Sequence, residues 1–469
     1  MNIEGGWIKY KNKVTAVHLM WAVILVFSFF AAIQSFRSIK DIPLSSRAQD
    51  LRTRVVGARL LGTGHSPYYF KWQPGVSETL LDPLEIPSWE PARNRLTVSP
   101  FTLLVQSSMN RLNYLQIKRI WDLCQIFFLC YIVLSFVFLA KAWMNRILIF
   151  IFSLIFIACT PGWQYHYALG QIYIFYAFLF CLIYQLYRAR FKDGKFLSGV
   201  VFGFLVLFRP PMIIASLPLL INKQIKFMIG ALAGLLIGFS LSVAAGQWAD
   251  WCDYYSVMTG KGAELSARPL TRQEVALEKN LSKMKYPRVV EGVSFKQYTY
   301  DVVGYEQSKP VKNEESVSNN RVDKYFSEWR AFHQEASLLV FLVLAWTLLI
   351  FSYRELNTSK DSLVFLWAFL FYMLLDNFLP AYRYQYNYVQ WIFPIALLFS
   401  QYQILKSAFL PLLLLGFSLN LRKIGWIPNT FMIGEIFVFL AFLLILKYEH
   451  PLIQRDSSDS SAQKKASGG

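Results

Sequence analysis

The sequence predicts an all-α polytopic membrane protein with about 11–12 transmembrane helices and two long extracytoplasmic loops. Three observations lead there. Hydrophobic residues make up 55% of the 469, aromatics 17%, and charged residues only 16%, against roughly 25% charged in soluble domains. Apolar runs that approach or exceed the ~20 residues of a membrane-crossing helix recur along the whole chain. Short basic clusters separate those runs at the alternating positions that the positive-inside rule demands.

The first run, residues 14–36, is too long for the apolar core of a signal peptide and lacks a small-residue cleavage site, so it stays as a span. Further spans are expected at residues 120–140, 147–160, 168–187 and 196–208. A short segment at 212–221 follows, then spans at 227–246, 338–353, 363–379, 388–405, 408–420 and 431–446. Lys9, Lys11 and Lys13 precede the first span, Lys141 and Arg146 fall in one turn, Arg188 to Lys195 in another, and Arg354 and Lys360 in a third. All lie on one side when the N-terminus is cytoplasmic. The loops at 37–119 and 247–335 then lie outside, and the C-terminus lies inside with a small polar tail at 455–469 that is expected to be disordered. Gly230, Gly234 and Gly238 make one small-residue face and Gly199 with Gly203 a second, the spacing that lets membrane helices approach closely.

The net charge of +18 brackets membrane spans, so it fits topology signals and anionic lipid rather than nucleic acid. Among the five cysteines there is no disulfide framework and no metal-ligand spacing. No Walker loop, dinucleotide fingerprint or zinc motif is present, which argues against cytosolic nucleotide chemistry and leaves no cofactor or metal expected. The first outer loop is net basic on the side where topology does not require it, which invites an anionic ligand such as a lipid phosphate.

The stretch "SRAQDLRTRVVGARLLG" (46–62) places one carboxylate, Asp50, among Arg47, Arg52, Arg54 and Arg59. As a helix it sets Arg47, Asp50, Arg54 and Gly57 on one face and Leu51, Val55, Ala58 and Leu61 on an apolar stripe, a pattern that suits the outer membrane surface. On spacing alone Asp50 is either a functional acid or one half of an i, i+4 surface pair with Arg54. "GTGHSPYYF" (62–70), with His65, ends that helix. There follow "RNRLTVSPF" (93–101), "YALGQIYIF" (167–175), "FRPP" (208–211) and "YRYQYNYVQWIFP" (382–394).

This series resembles the glycosyltransferase C superfamily, and more narrowly glycosyltransferase family 87, whose known members use polyprenyl-phosphate mannose. Asp50, Gly64–Pro67–Tyr68, Ser99–Pro100, Gly170–Gln171 and Arg209–Pro210 stand in the positions of that family's motifs, in order from about residue 48 to 394. The chain departs from the family at Tyr173, where Asn is common, at Arg209, where Lys is usual, and in a late motif that carries Arg383, Gln385 and Asn387 instead of histidines.

The resemblance implies a single transmembrane catalytic domain over 1–454. It implies transfer of one mannose-like sugar, with inversion, from a polyprenyl-phosphate donor to a lipid or glycan acceptor outside the cytoplasmic membrane. Asp50 is then the general base, with its pKa pulled down by the neighbouring arginines. Arg52, Arg54, Arg209 and Arg383 are candidates for the phosphate, since the guanidinium fork suits phosphate oxygens. His65, Gln385 and Asn387 join them as substrate-binding candidates. His166 either touches phosphate or sugar or belongs to an interfacial aromatic belt. Gln171 either binds a sugar or caps a helix start. The tyrosines at 382–388 form either a sugar platform or a belt. Two other functions fit a polytopic chain: an envelope polysaccharide polymerase or ligase that uses a diphosphate-linked donor, and a solute or lipid transporter, which should show inverted repeats of broken helices.

Overall fold

The computed structural model describes residues 48–68, 70, 76–80, 96, 98–258, 339–357, 361–377, 385–421 and 430–449, together with helical positions Val23, Val26, Phe29, Phe30 and Ile33. Most of the first span, the Pro- and Trp-rich insertion, the second outer loop from residue 259 on, Arg383 and the C-terminal tail lie outside the described residues. All described regular structure is helical. In chain order it comprises α1 (Gln49–Leu60), α2 (Pro100–Ser107), α3 (Tyr114–Leu139), α4 (Trp143–Cys159), α5 (Pro161–Leu169), α6 (Tyr173–Arg188) and α7 (Gly194–Phe208). A 3-10 turn at Pro210–Ala215 leads into α8 (Ser216–Ile221), followed by α9 (Ile225–Ala244), α10 (Trp248–Met258), α11 (Leu339–Asn357) and α12 (Asp361–Asp376). A second 3-10 segment, Gln385–Trp391, leads into α13 (Ile392–Gln401), and α14 (Leu410–Leu421) and α15 (Thr430–Tyr448) follow.

Four of these helices (α3, α9, α11 and α15) are long and apolar enough to cross a membrane. α4 and α5 together make a fifth, bent by 67°. The protein is a helical polytopic membrane protein. Apart from the first, which lies mostly outside the described residues, the remaining expected spans are apolar helices shorter than the ~20 residues of a full crossing. Their short length has a local cause in prolines and glycines. Pro161 at the first position of α5 has no N–H to continue α4, so the chain bends there. Gly170 ends α5 in the left-handed region at φ 68°, where a residue with a side chain is disfavoured. Pro210 and Pro211 end α7 and tighten the next residues into a 3-10 turn. Starts are equally explicit. Asn113 and Gln116 form a reciprocal capping box on α3, with bonds of 2.9 and 3.1 Å. Ser99 accepts the Thr102 N–H at 3.3 Å ahead of Pro100 at N1 of α2.

The spans alternate in direction, so the chain returns repeatedly to the same two ends of the bundle. At one end lie the turns carrying Lys141 and Arg146, the turn Arg188–Lys195, and Lys223. Side chains knit this end: Asn145 Nδ2 donates to the Tyr402 carbonyl at 3.1 Å, Lys195 to Gln224 at 3.1 Å, and Lys447 to Glu355 at 2.9 Å. At the other end lie α1, α2, α5, α10, the end of α7 and both 3-10 segments' entries. α12 and α13 run through the middle. From Leu363 to Met373 and from Ile392 to Gln401 every residue is buried, as expected for helices that are apolar all round. α9 and α11 instead expose leucines, isoleucines and valines on their outer faces, such as Leu232, Leu236, Val343 and Ile350, the faces a bilayer would cover.

The two glycine faces meet. A Cβ placed on Gly199 would collide with the Phe227 carbonyl, one on Gly203 with that of Ala231, one on Gly230 with that of Phe196, and one on Gly234 with that of Val200. α7 and α9 therefore touch backbone to backbone, as the sequence spacing predicts. Gly234→Ala should cost about 1–3 kcal/mol of thermal or denaturant stability in detergent, because backbone cannot yield as a rotamer can. Gly238→Ala meets only the side chains of Leu207 and Phe204 and should cost less. Equal losses in the two variants would mean that the α7–α9 contact is loose.

Candidate active site

α1 is held by the turn between α5 and α6. The Ala48 N–H donates to the Ala168 carbonyl at 2.6 Å, and the Arg54 guanidinium donates to the Gly170 carbonyl at 2.6 Å. The Gln171 amide donates to the Asp50 carboxylate. Arg54 also lies over the Trp121 ring of α3, 5.0 Å from its centroid. The approach is close because Gly170 has no side chain: a Cβ there would lie 2.8 Å from Leu51 Cβ.

This arrangement corrects two expectations. α1 does not leave its polar face open to water. Leu51, Val55 and Ala58 are buried, but so are Arg52 and Arg54 on the polar side, because α2, α3 and α5 pack around it. Nor is Asp50 simply the partner of Arg54. Gln171 takes its carboxylate, and Arg54 is turned to the Gly170 carbonyl. Gln171 thus neither caps α6, whose N-cap is Ile172, nor faces away from the acid.

The electrostatic expectation for Asp50 is also overturned. Burial raises its pKa to about 6, and the opposing pull of Arg54 and then Arg52 does not cancel it. The reason is desolvation: the two guanidiniums recover less than the carboxylate loses on leaving water. Burial lowers Arg54 to about 10, opposed by Asp50, so it stays cationic at neutral pH.

A second polar group sits where α7 ends. Arg209 pairs with Asp376 of α12, and its Nε donates to the Tyr372 hydroxyl at 2.8 Å. That hydroxyl in turn donates to Gln390 Oε1 at 2.8 Å. The guanidinium carbon lies 5.1 Å from the Tyr173 ring centroid and 5.8 Å from that of Tyr176. Tyr173 also packs on Tyr386, with centroids 5.7 Å apart. Arg54 interacts electrostatically with the same two tyrosines, so Tyr173 and Tyr176 of α6 adjoin both the Asp50–Arg54 group and the Arg209 group. Ser99 ties α2 to this junction, with its hydroxyl donating to the Phe208 carbonyl at 3.2 Å.

The other sequence candidates divide. His166 is fully buried rather than in a belt, and its Nε2 accepts the Ile174 N–H at 3.1 Å, which caps α6 from α5. Asn387 is buried in the 3-10 segment that packs on α5 and α6. Of the tyrosines at 382–388, Tyr386 and Tyr388 face inward, Tyr388 stacked near Phe156 with centroids 6.1 Å apart. His65 is not part of the group: it is exposed in the turn after α1, its ring 5.3 Å from Phe70, because Gly62 and Gly64 in the left-handed region swing the chain outward. Tyr68 of the same motif is structural, donating to the Val98 carbonyl at 2.8 Å. Arg383 and the Gln385 side chain lie outside the described residues.

Sequence reasoning noted Tyr173 only as a departure from the family pattern, and it missed Tyr176, Tyr372 and Gln390, which look like ordinary span residues. The signal for Asp376 is present: it is the one acid at the end of an otherwise apolar helix, four residues after Tyr372, and intramembrane acids carry a functional reading.

Two stability measurements test this geometry. Asp50 titrates near 3.9 when unfolded and about 6 when folded. A raised carboxyl pKa contributes stability that is complete at low pH and lost as pH rises through the folded value. Asp50→Asn has no such loss, so its melting temperature relative to the parent should climb from about pH 4 to about pH 6 and then level off. A difference that does not change with pH would place Asp50 in water. Arg209→Ala strands the Asp376 carboxylate and should cost about 3–5 kcal/mol, while Arg209→Leu combined with Asp376→Leu should recover most of it. A stable Arg209→Ala protein would show that the pair carries no such coupling.

No protein-family model matches the chain, and no curated protein and no solved structure matches it either.

Proposed function

We propose that this protein is an inverting membrane glycosyltransferase of the C type, moving one mannose-like sugar from a polyprenyl-phosphate donor to an extracytoplasmic lipid or glycan acceptor. One observation carries the reading. A partly buried carboxylate with a pKa of about 6 is held by an amide at the end of the bundle opposite the basic turns, with buried arginines beside it. By the positive-inside rule the basic end is cytoplasmic and the Asp50 end faces outward. The short apolar helices complete about 11–12 spans in the cytoplasmic membrane.

The chemistry follows from these groups. Asp50 takes the proton of an acceptor hydroxyl while that oxygen bonds to the anomeric carbon. The bond from that carbon to the phosphate oxygen breaks, and its electron pair leaves with the polyprenyl phosphate. Attack from the opposite face inverts the carbon. A positioned base contributes about 10²–10⁴-fold, and a pKa near 6 leaves Asp50 ionised at neutral pH yet more basic than a solvated carboxylate. Gln171 fixes the carboxylate's direction. Arg209, held edge-on by Asp376 and Tyr372, presents its remaining N–H groups to developing phosphate charge. No step calls for a metal or cofactor.

The test uses purified protein, a panel of polyprenyl-phosphate sugars and mass spectrometry of the lipid products. A mannose-like donor should be consumed. Asp50→Asn should fold and lose at least ~10²-fold in turnover, and Arg209→Lys should raise donor KM through loss of the fork. A folded Asp50→Asn protein with full transfer would remove Asp50 from the chemistry. Consumption of diphosphate-linked donors alone would favour a polymerase or ligase.

A further inference from the structure

Arg209 ends a chain of hydrogen bonds in which each bond fixes the direction of the next. The chain starts in the 3-10 segment Gln385–Trp391. Gln390 Nε2 donates to the Asn387 carbonyl at 3.2 Å. A carbonyl only accepts, so the nitrogen end of the amide faces Asn387 and the oxygen end faces Tyr372. That oxygen lies 2.8 Å from the Tyr372 hydroxyl, which therefore donates to it. With its proton committed, the hydroxyl turns a lone pair to Arg209, whose Nε donates to it at 2.8 Å. A guanidinium only donates, so both ends of the chain have a fixed sense. Reversing the amide would set its N–H groups toward the hydroxyl and its oxygen against the carbonyl.

The Tyr372 proton has one rival acceptor in this group. Asp376 Oδ1 lies 3.3 Å from the hydroxyl, and it is the oxygen that Arg209 Nη2 uses. A hydroxyl turned to Asp376 competes with Arg209 for that oxygen. Gln390 offers the shorter bond and so leaves Asp376 to the guanidinium. Two points of the guanidinium plane are then fixed, Nε by Tyr372 and Nη2 by Asp376. Tyr386 of the same 3-10 segment packs on Tyr173, whose ring lies near the guanidinium carbon. Tyr372, Asp376 and Gln390 are buried, whereas the Arg209 side chain keeps 17% of its surface exposed. Of these four, Arg209 is the one open to a ligand, and the other three act through it. Orientation matters because a guanidinium holds phosphate through two parallel bonds in its plane.

We infer that Gln390 is a positioning residue for the donor phosphate: by holding the Tyr372 proton, it keeps the Arg209 fork in the plane that phosphate needs. The inference rests on the function proposed above, which gives Arg209 the phosphate, and adds the residue that aims it.

The test compares two lipids on the full-length protein in detergent: polyprenyl monophosphate and polyprenol, which lacks the phosphate. The parent should bind the first more tightly. Gln390→Met keeps the side chain's length and burial but removes the amide. It should lose about tenfold of the phosphate-dependent difference while polyprenol affinity stays within about twofold. Tyr372→Phe removes only the hydroxyl and should lose at least as much. In an Arg209→Lys background there is no fork to aim, and Gln390→Met should then change the difference by less than about twofold. An unchanged difference in Gln390→Met overturns the inference. So does an equal loss for both lipids, or the same tenfold loss in the Arg209→Lys background, since the amide would then be structural. If Gln390→Met does not fold, Tyr372→Phe combined with Arg209→Lys decides: additive losses overturn the inference, and non-additive losses support it. A parent that binds both lipids equally overturns the phosphate role of Arg209 in the proposed function, and the role of Gln390 with it.

Discussion

The site end of the bundle depends on Gly170 having no side chain. At φ 68° this residue ends α5 and turns its carbonyl toward α1. Its bare Cα lets Leu51 and Ala48 of α1 lie against it. Only at that distance can Arg54 reach the Gly170 carbonyl and Gln171 reach Asp50. Any L side chain here would suffer twice, from the left-handed backbone and from overlap with Leu51. The Gly–Gln pair therefore works as a unit: glycine sets the approach, and glutamine fixes the carboxylate.

Around that contact the chain places more charge inside than packing alone would keep. Arg52, Arg54 and Asp376 are all nearly inaccessible to water. Each is expensive to desolvate unless paired. Arg209 is paired with Asp376 and hydrogen-bonded to Tyr372, and two tyrosine rings offer it their faces. Arg54 has a carbonyl and a tryptophan face. The glycine contact between α7 and α9, with backbone against backbone, and the buried α12 and α13 supply the rigid frame that holds such groups in place.

Much of this frame was legible in the sequence. The four-residue glycine spacing at Gly199/Gly203 and Gly230/Gly234 led directly to a helix contact, because small-residue packing is local and periodic. Span ends agreed within a residue where prolines mark them, at Pro161 and Pro210, whereas the Asn113 cap starts α3 at Tyr114, six residues before the expected start at 120. Tertiary electrostatics were not legible. A helical wheel places Asp50 and Arg54 on one face, and no local pattern says that Gln171, 121 residues later, will take the carboxylate. The same holds for the pKa of Asp50. Nearby arginines are visible in sequence and lower it, whereas the helices that exclude water from it come from distant segments and raise it further. His65 shows the opposite error. Its motif is local, but the left-handed glycines around it point it away from the site.

On the function proposed above, the placement of charge around Tyr173 and Tyr176 has a chemical logic. A phosphate-linked sugar has one end that gains negative charge as the bond breaks and one end that stays neutral. Cations placed against the neutral end would bind substrate and transition state alike and accelerate nothing. Cations at the phosphate end act where charge develops. Arg209 stands on one side of the tyrosine pair, its position fixed by Asp376. Arg54, over the Trp121 ring, stands on the other. Arg54 spends its strongest hydrogen bond on the Gly170 carbonyl and stacks on Trp121, so its task at this spot is to hold the carboxylate-bearing helix in register. Tyr173 adjoins both groups: its ring lies 5.1 Å from the Arg209 guanidinium carbon, 5.7 Å from the Tyr386 ring and 6.5 Å from the His166 ring, each to the ring centroid.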